Sequence, residues 1–179
     1  GTKSALDIDV YDEYYRHLFL WDKQKGKIVG AYRLGYGDEI LKSKGVKGFY
    51  TKTLFDYDPE FSKYLSKSIE LGRSFVTLEY QKEALPLMLL IKGLLYSVLN
   101  KPNVQYLIGP VSISSWYPKL YRSLMIEYLK KYHSVEKLDK LMRPKNPFIP
   151  NFHRCNPDML LSGSKADSIE KFDRYILKL

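Results

Sequence analysis

The chain has a single cysteine, Cys155, in 179 residues, so no internal disulfide can staple it and its stability must come from a packed core. Long apolar runs are also missing. The longest, ALPLMLLIKGLLYSVL at residues 84–99, falls short of the ~20 residues a membrane span needs and is interrupted by Lys92. Acidic residues are few, 20 against 29 basic ones, and the formal charge of +9 points to an acidic partner. There is no internal repeat and no low-complexity tract. What is present is apolar and aromatic side chain, 45% and 15% of the residues, which excludes a disordered chain and predicts one globular domain over 1–179.

Residues 14–21, YYRHLFLW, are aromatic and partly alternating, and after DKQKGK comes IVGAYRLGYG. The pair predicts two antiparallel strands joined by a Gly-containing loop. Residues 36–47, rich in Gly and Lys, are expected to be loop, followed by a short GFYTKTLF segment and a helical piece over 59–65. SIELGRSFV (68–76) predicts a third strand, 84–99 a buried helix with Pro86 in its first turn, and VQYLIGPVSIS (104–114) a fourth strand. Leu120, Leu124 and Leu129 space a further helix over 116–132, and the Pro-rich stretch 144–157 reads as an extended connection. This order predicts an α/β (α+β) fold, a central mixed twisted sheet flanked by helices. The strands on either side of the first long helix should be parallel neighbours, because a helical crossover returns the chain in the same direction.

Within the third strand, IELGRSFV places Glu70, Gly72 and Arg73 in an apolar run, where both charges are costly to bury unless paired or used. Asp12 lies five residues before His17, and Arg33 sits in the second strand. In this order DEYYRHL, VGAYRL and ELGRSFV resemble the GNAT-like N-acyltransferases that make amino acid lipids. These are the ornithine and glycine lipid synthases, often labelled hemolysins, to which the acyl-homoserine lactone synthases are related. The resemblance covers roughly residues 7–130. It implies a bacterial enzyme with a GNAT-like fold, moving a (3-hydroxy)fatty acyl chain from acyl carrier protein to the amine of an amino acid. The phosphopantetheine of the carrier would be the donor arm, with no cofactor bound permanently and no metal. Asp12, Arg33, Glu70 and Arg73 match the catalytic charged cluster, Glu70 as general base. The relatives also have a helical region before, and a helix and strand after, the matching part, so the chain is expected to be a piece of a longer protein.

The residues themselves bear on the donor. CoA-using members of this fold carry a Gln/Arg-x-x-Gly-x-Gly/Ala turn whose N–H groups hold the CoA pyrophosphate. Here the corresponding YQKEALPL has no glycine between Tyr80 and Leu90. A phosphopantetheine arm on a carrier protein brings no pyrophosphate, so the missing cradle fits that donor.

In a regular strand Glu70 and Arg73 face opposite sides, whereas a bulge at Gly72 would bring both to one face and expose a backbone donor. An N–H near Ser74, Phe75 or Val76 is expected to hold the oxyanion. Ser112 and Ser114 are expected to line the substrate pocket, although turn chemistry accounts for them equally well, and Tyr117 and Tyr121 are candidate acids for the leaving thiolate. His17, inside an apolar strand, is expected to be a hydrogen-bonded core residue. His153 and Cys155 are too few for zinc. Segment 116–145 carries eight Lys or Arg against three acids, a net of +5. Its Lys119, Arg122, Lys130, Lys131 and Lys137 are expected to dock an acidic carrier protein or an anionic membrane surface. The aromatics match no RNA-binding signature, so no nucleic-acid partner is expected. The expected place is the cytoplasm, with a peripheral position at the inner face of its membrane as a variant. A non-catalytic basic docking module and a lactone-synthase-like activity are the alternatives.

Overall fold

The computed structural model describes residues 7–152, 156–158 and 161. The chain divides into two compact units, Gly1–Pro110 with Leu141–Lys145, and Val111–Lys140 with Asn146–Leu179.

The first unit opens with the expected hairpin, β1 (Arg16–Asp22) antiparallel to β2 (Lys27–Tyr36). Its turn is closed by Asp22, whose Oδ1 accepts the Gln24 and Lys25 N–H groups at 2.8 and 3.0 Å, and by Gly26 at a φ of 62°. β2 runs directly into α1 (Gly37–Lys44), where a loop is expected from the sequence. The helix forms because Asp38 and Glu39 in its first turn and Lys42 and Lys44 in its last complement the helix dipole. Gly45, at a φ of 66° and a ψ of −166°, then ends it in a conformation that favours glycine, its N–H bonding back to the Leu41 carbonyl. Gly37 is required by close approach: a Cβ there would stand 1.8 Å from the Leu65 carbonyl oxygen.

Two 3-10 turns, Val46–Gly48 and Tyr50–Thr53, lead to β3 (Phe55–Tyr57), and a third, Pro59–Phe61, leads to the short α2 (Ser62–Leu65). β4 (Ser68–Val76), α3 (Leu85–Leu99) and β5 (Tyr106–Ile108) follow. The sheet order is β1-β2-β4-β5, with β4 antiparallel to β2 and parallel to β5, as the crossover rule predicts. β5 is far shorter than the expected 104–114. Gly109 passes so close to Leu71 that a Cβ would meet its carbonyl oxygen at 2.6 Å, and Pro110 has no N–H to continue the ladder.

One face of the sheet carries Leu34, Tyr36 and Ile69 in a cluster with Leu94 of α3. The helix is buried along one stripe only, at Pro86, Leu90 and Leu94, while Leu87, Met88, Ile91 and Leu95 are exposed. That corrects the expectation of a buried helix: apart from Lys92 and Ser97 its side chains are largely apolar, but the buried ones form a single i, i+4 row, with Gly93 beside it approaching Leu18 of β1. The second core, Tyr15, Ile40, Phe49, Phe61 and Leu65, gathers α1, α2 and the 3-10 turns. A small antiparallel pair of β3 with β6 (Met142–Pro144), which the sequence does not announce, closes over this side. Among the described residues no helix is long and apolar enough to cross a membrane.

In the second unit, Lys119–His133 forms a helix with Leu124 and Tyr128 buried beside Leu161, and Glu136–Asp139 a further short turn of helix. Ser123 fixes the returning chain by accepting the Asn151 N–H at 2.9 Å. Arg143 and Lys145 of the basic segment belong to the first unit, Lys119, Arg122, Lys130, Lys131 and Lys137 to the second. His153 and Cys155 lie outside the described residues.

Candidate active site

The register between β2 and β4 changes once, between the pairs Ala31 with Phe75 and Arg33 with Gly72. Arg73 and Ser74 therefore stand opposite Tyr32 alone, a β-bulge one residue beyond the expected Gly72. Arg73 itself takes the left-handed turn, with a φ of 44°, while Gly72 does not use its freedom.

The bulge aims Arg73 at the segment preceding β1. Its Nη1 donates to Asp7 Oδ2 at 2.7 Å and its Nη2 to Asp9 Oδ2 at 3.1 Å. Asp9 is shared, since its Oδ1 accepts Arg33 Nη1 at 2.6 Å, and the same Nη1 reaches Asp12 Oδ1 at 2.9 Å. Asp12 Oδ2 takes the Asp9 N–H at 2.8 Å, so the segment is folded onto the two arginines. Burial works to raise both carboxyls, but hydrogen bonds from Arg33 and Arg73 to Asp9, and from the Asp9 N–H and Arg33 to Asp12, hold them below the usual aspartate range.

Arg33 is 2% exposed, and its guanidinium lies over the rings of Tyr15, Tyr11 and Tyr50 at 5.2, 5.5 and 6.0 Å. Its Nε is buried and has no hydrogen-bond partner among the described residues. Behind Tyr15 stands Glu70, 1% exposed. Oε2 accepts the Tyr15 hydroxyl and the Tyr50 N–H, the latter at 2.9 Å; Oε1 accepts the Thr51 N–H at 2.7 Å and the Thr51 hydroxyl. Each oxygen thus receives two donors. Burial, reinforced by the Glu70 carboxylate, pushes the Tyr15 phenol far above its ordinary value, so Tyr15 remains a donor.

A cavity of about 510 Å³ opens on this face, with Asp12, His17, Arg33, Arg73, Tyr32 and Phe75 among its walls. A second, of about 210 Å³, lies between the end of β4 and α3 and is lined by Ser74, Phe75, Val76, Leu87 and Leu90 together with Tyr32. Tyr32 and Phe75 wall both.

Of the charged residues nominated from the sequence, Asp12, Arg33 and Arg73 converge on the larger cavity; Glu70 is not part of its lining but holds the 50–51 turn and Tyr15 in place. Ser74, Phe75 and Val76 meet at the smaller cavity. His17, expected in the core, is half exposed at the cavity wall: β1 is an edge strand, and the face that carries His17 is not covered there. Ser112, Ser114, Tyr117 and Tyr121 belong to the second unit, where Ser114 closes a local turn by accepting the Trp116 N–H at 3.2 Å. The sequence reasoning missed Asp9 and Tyr15. The alternation of acids in DIDVYD was the available signal for the first, and none marked the second among so many tyrosines.

A family model described as an acetyltransferase (GNAT) domain matches residues 1–91, the span that contains all three motifs and both cavities. The chain belongs to the GNAT family. Two relatives are named glycine N(alpha)-acyltransferase. That of Phocaeicola vulgatus is 37% identical over 158 residues, 82% of this chain and 48% of its own length. That of Bacteroides thetaiotaomicron is 34% identical over 160 residues, 83% and 47% respectively. The chain spans about half the length of the curated relatives it matches. No solved structure matches it. In this GNAT chain the mixed sheet flanked by helices is the family's fold, and the bulged β4 is the element on which the two cavities meet.

Proposed function

We propose that the protein is an N-acyltransferase that takes a (3-hydroxy)fatty acyl chain from the phosphopantetheine arm of acyl carrier protein and places it on the α-amine of an amino acid, in amino acid lipid synthesis. Glycine is the first candidate acceptor, because it is the one named in the relatives' own descriptions. The observation that carries this reading is the pair of cavities sharing Tyr32 and Phe75. The charged one suits a small zwitterion, and the apolar one, bounded by α3, suits the thioester end of a long flexible donor. The reacting carbonyl would lie where they meet, beside the bulge whose residues have left the ladder, so that a backbone N–H near Ser74 can serve the oxyanion.

The start of α3 supports the carrier protein as donor. It has no side-chain cap, and Pro86 removes one of the N–H groups a pyrophosphate would need. The exposed lysines 119, 130, 131 and 137 supply a basic surface for the acidic carrier. Such a reaction places the protein in the cytoplasm, where both substrates are made.

The test is acyl transfer by the full-length protein with acyl carrier protein or CoA thioesters and a panel of amino acids, read by mass spectrometry. N-acylglycine formed with far higher kcat/KM from the carrier is the expected result. Equal efficiency from CoA removes the donor assignment, and no acylated amino acid under any condition removes the reading.

A further inference from the structure

An amino acid's amine is mostly protonated near neutral pH, and its nitrogen attacks a thioester only after losing a proton. Glu70, the carboxylate that the resemblance offers for this task, is 1% exposed, with both oxygens engaged by two donors each. Asp9 and Asp12 are held by Arg33, and Asp9 by Arg73 as well. The arginines have no acceptor atom.

His17 differs from all of these. In the ladder it pairs with Arg33, which pairs in turn with Gly72, so the three lie in one row on one face of the sheet. Its side chain is 48% exposed, it lines the larger cavity, and its Nε2 stands 3.7 Å from Asp12 Oδ1. The other charged or titratable groups on that cavity are Asp7 and Asp12 of the preceding segment, Arg33 and Tyr32 of β2, and Arg73 of β4. A neutral imidazole nitrogen can accept a proton and give it up again, which is the chemistry this step requires.

Resting on the acyl-transfer reading above, we infer that His17 is the base that deprotonates the acceptor amine, with Asp12 positioning its ring. Asp12 beside Nε2 leaves Nδ1 to meet the substrate. His17 takes one proton from the ammonium and releases it to solvent. The freed amine attacks the thioester carbon, forming the C–N bond. Its nitrogen then gives a second proton to His17 as the C–S bond breaks, and the imidazolium returns that proton to the leaving sulfur. The products are an amide, the carrier thiol and one proton in solvent. Glu70 acts as a positioning residue, holding Tyr15 beneath Arg33.

The experiment is the pH profile of kcat/KM for glycine in the full-length protein and its His17→Asn variant, with thermal melting of both. At pH 7 the variant should lose about 100-fold, and the deficit should narrow toward about pH 9 and above, where more of the acceptor is already free amine. An unchanged melting temperature excludes misfolding as the cause. Activity within a few-fold of the parent at every pH overturns the assignment and leaves the acyl-transfer reading standing; an equal loss at all pH values assigns His17 to structure alone and overturns it too. A parent that acylates no amine overturns both.

Discussion

Glu70 Oε1 accepts the Thr51 N–H at 2.7 Å and the Thr51 hydroxyl as well, so a strand carboxylate organises a 3-10 turn 19 residues earlier in the chain. Burying a carboxylate is costly unless donors fill its lone pairs, and here four do. Glu70→Gln replaces an acceptor oxygen with an amide NH₂ that faces other donors. The expected outcome is a loss of about 2–4 kcal/mol in urea unfolding. Thr51→Val, which removes only the hydroxyl, should cost about 1 kcal/mol. Equal, small losses in both would mean the carboxylate does not hold the turn.

The glycines around the site separate by what they approach. A Cβ on Gly72 would find nothing closer than Arg33 Nε at 4.0 Å, whereas one on Gly37 would strike the Leu65 carbonyl oxygen at 1.8 Å. Gly72→Ala should therefore change stability by less than about 0.5 kcal/mol, and Gly37→Ala should cost about 3 kcal/mol. Arg73→Gly recovers about 1 kcal/mol of left-handed strain and gives up exposed ion pairs worth at most about 1 kcal/mol each. Its net effect on unfolding should fall within about 1 kcal/mol of the parent. A large loss would show that the pairs to Asp7 and Asp9 contribute more than exposed pairs usually do.

These glycines also mark where sequence reasoning succeeds and where it stops. Strand alternation around YYRHLFLW and IVGAYRLGYG, the Pro86 start of α3 and the parallel return into β5 were all legible, because each depends on local periodicity or on crossover geometry. Gly37 and Gly45 read as loop because a glycine that permits close packing and one that caps a helix look the same as a glycine in a turn. The charge cluster was legible as Asp12, Arg33 and Arg73, three residues of one network. Its organisation was not, because the bulge falls on Arg73 rather than its glycine neighbour and because Asp9 joins the two arginines only through tertiary contact.

The aspartates predict an acid limb. Burial favours raised carboxyls, but the arginine hydrogen bonds leave Asp9 and Asp12 below the ordinary value of 3.8. A group whose folded pKa is depressed stabilises the fold fully above its unfolded pKa, and that contribution is lost as pH falls through the folded value. Urea midpoints should hold steady down to about pH 5 and decline below about pH 4. Asp9→Asn should be less stable at pH 7 and decline less on acidification. A variant that keeps the parent's full acid decline would place the responsible carboxylates elsewhere.

The basic surface of the second unit offers a kinetic test of carrier docking. Lys130 and Lys131 are engaged by Glu127 at 3.0 Å and Asp158 at 2.8 Å, whereas Lys119 and Lys137 have no ion pair among the described residues. Charges already neutralised by a neighbour steer a partner weakly, so Lys119→Glu with Lys137→Glu should raise the KM for acyl carrier protein more than the same reversal of Lys130 and Lys131. Rim charges act mainly on association and are screened beyond a Debye length of about 8 Å at physiological salt, so the effect should be large at low ionic strength and fade as salt rises. Steady-state titration of the carrier at two salt concentrations distinguishes the outcomes. An equal loss at both would indicate local misfolding of the helix, and no loss at either would mean the carrier docks on another surface. Unchanged carrier kinetics with weaker binding to anionic vesicles would make these lysines a membrane-facing surface instead.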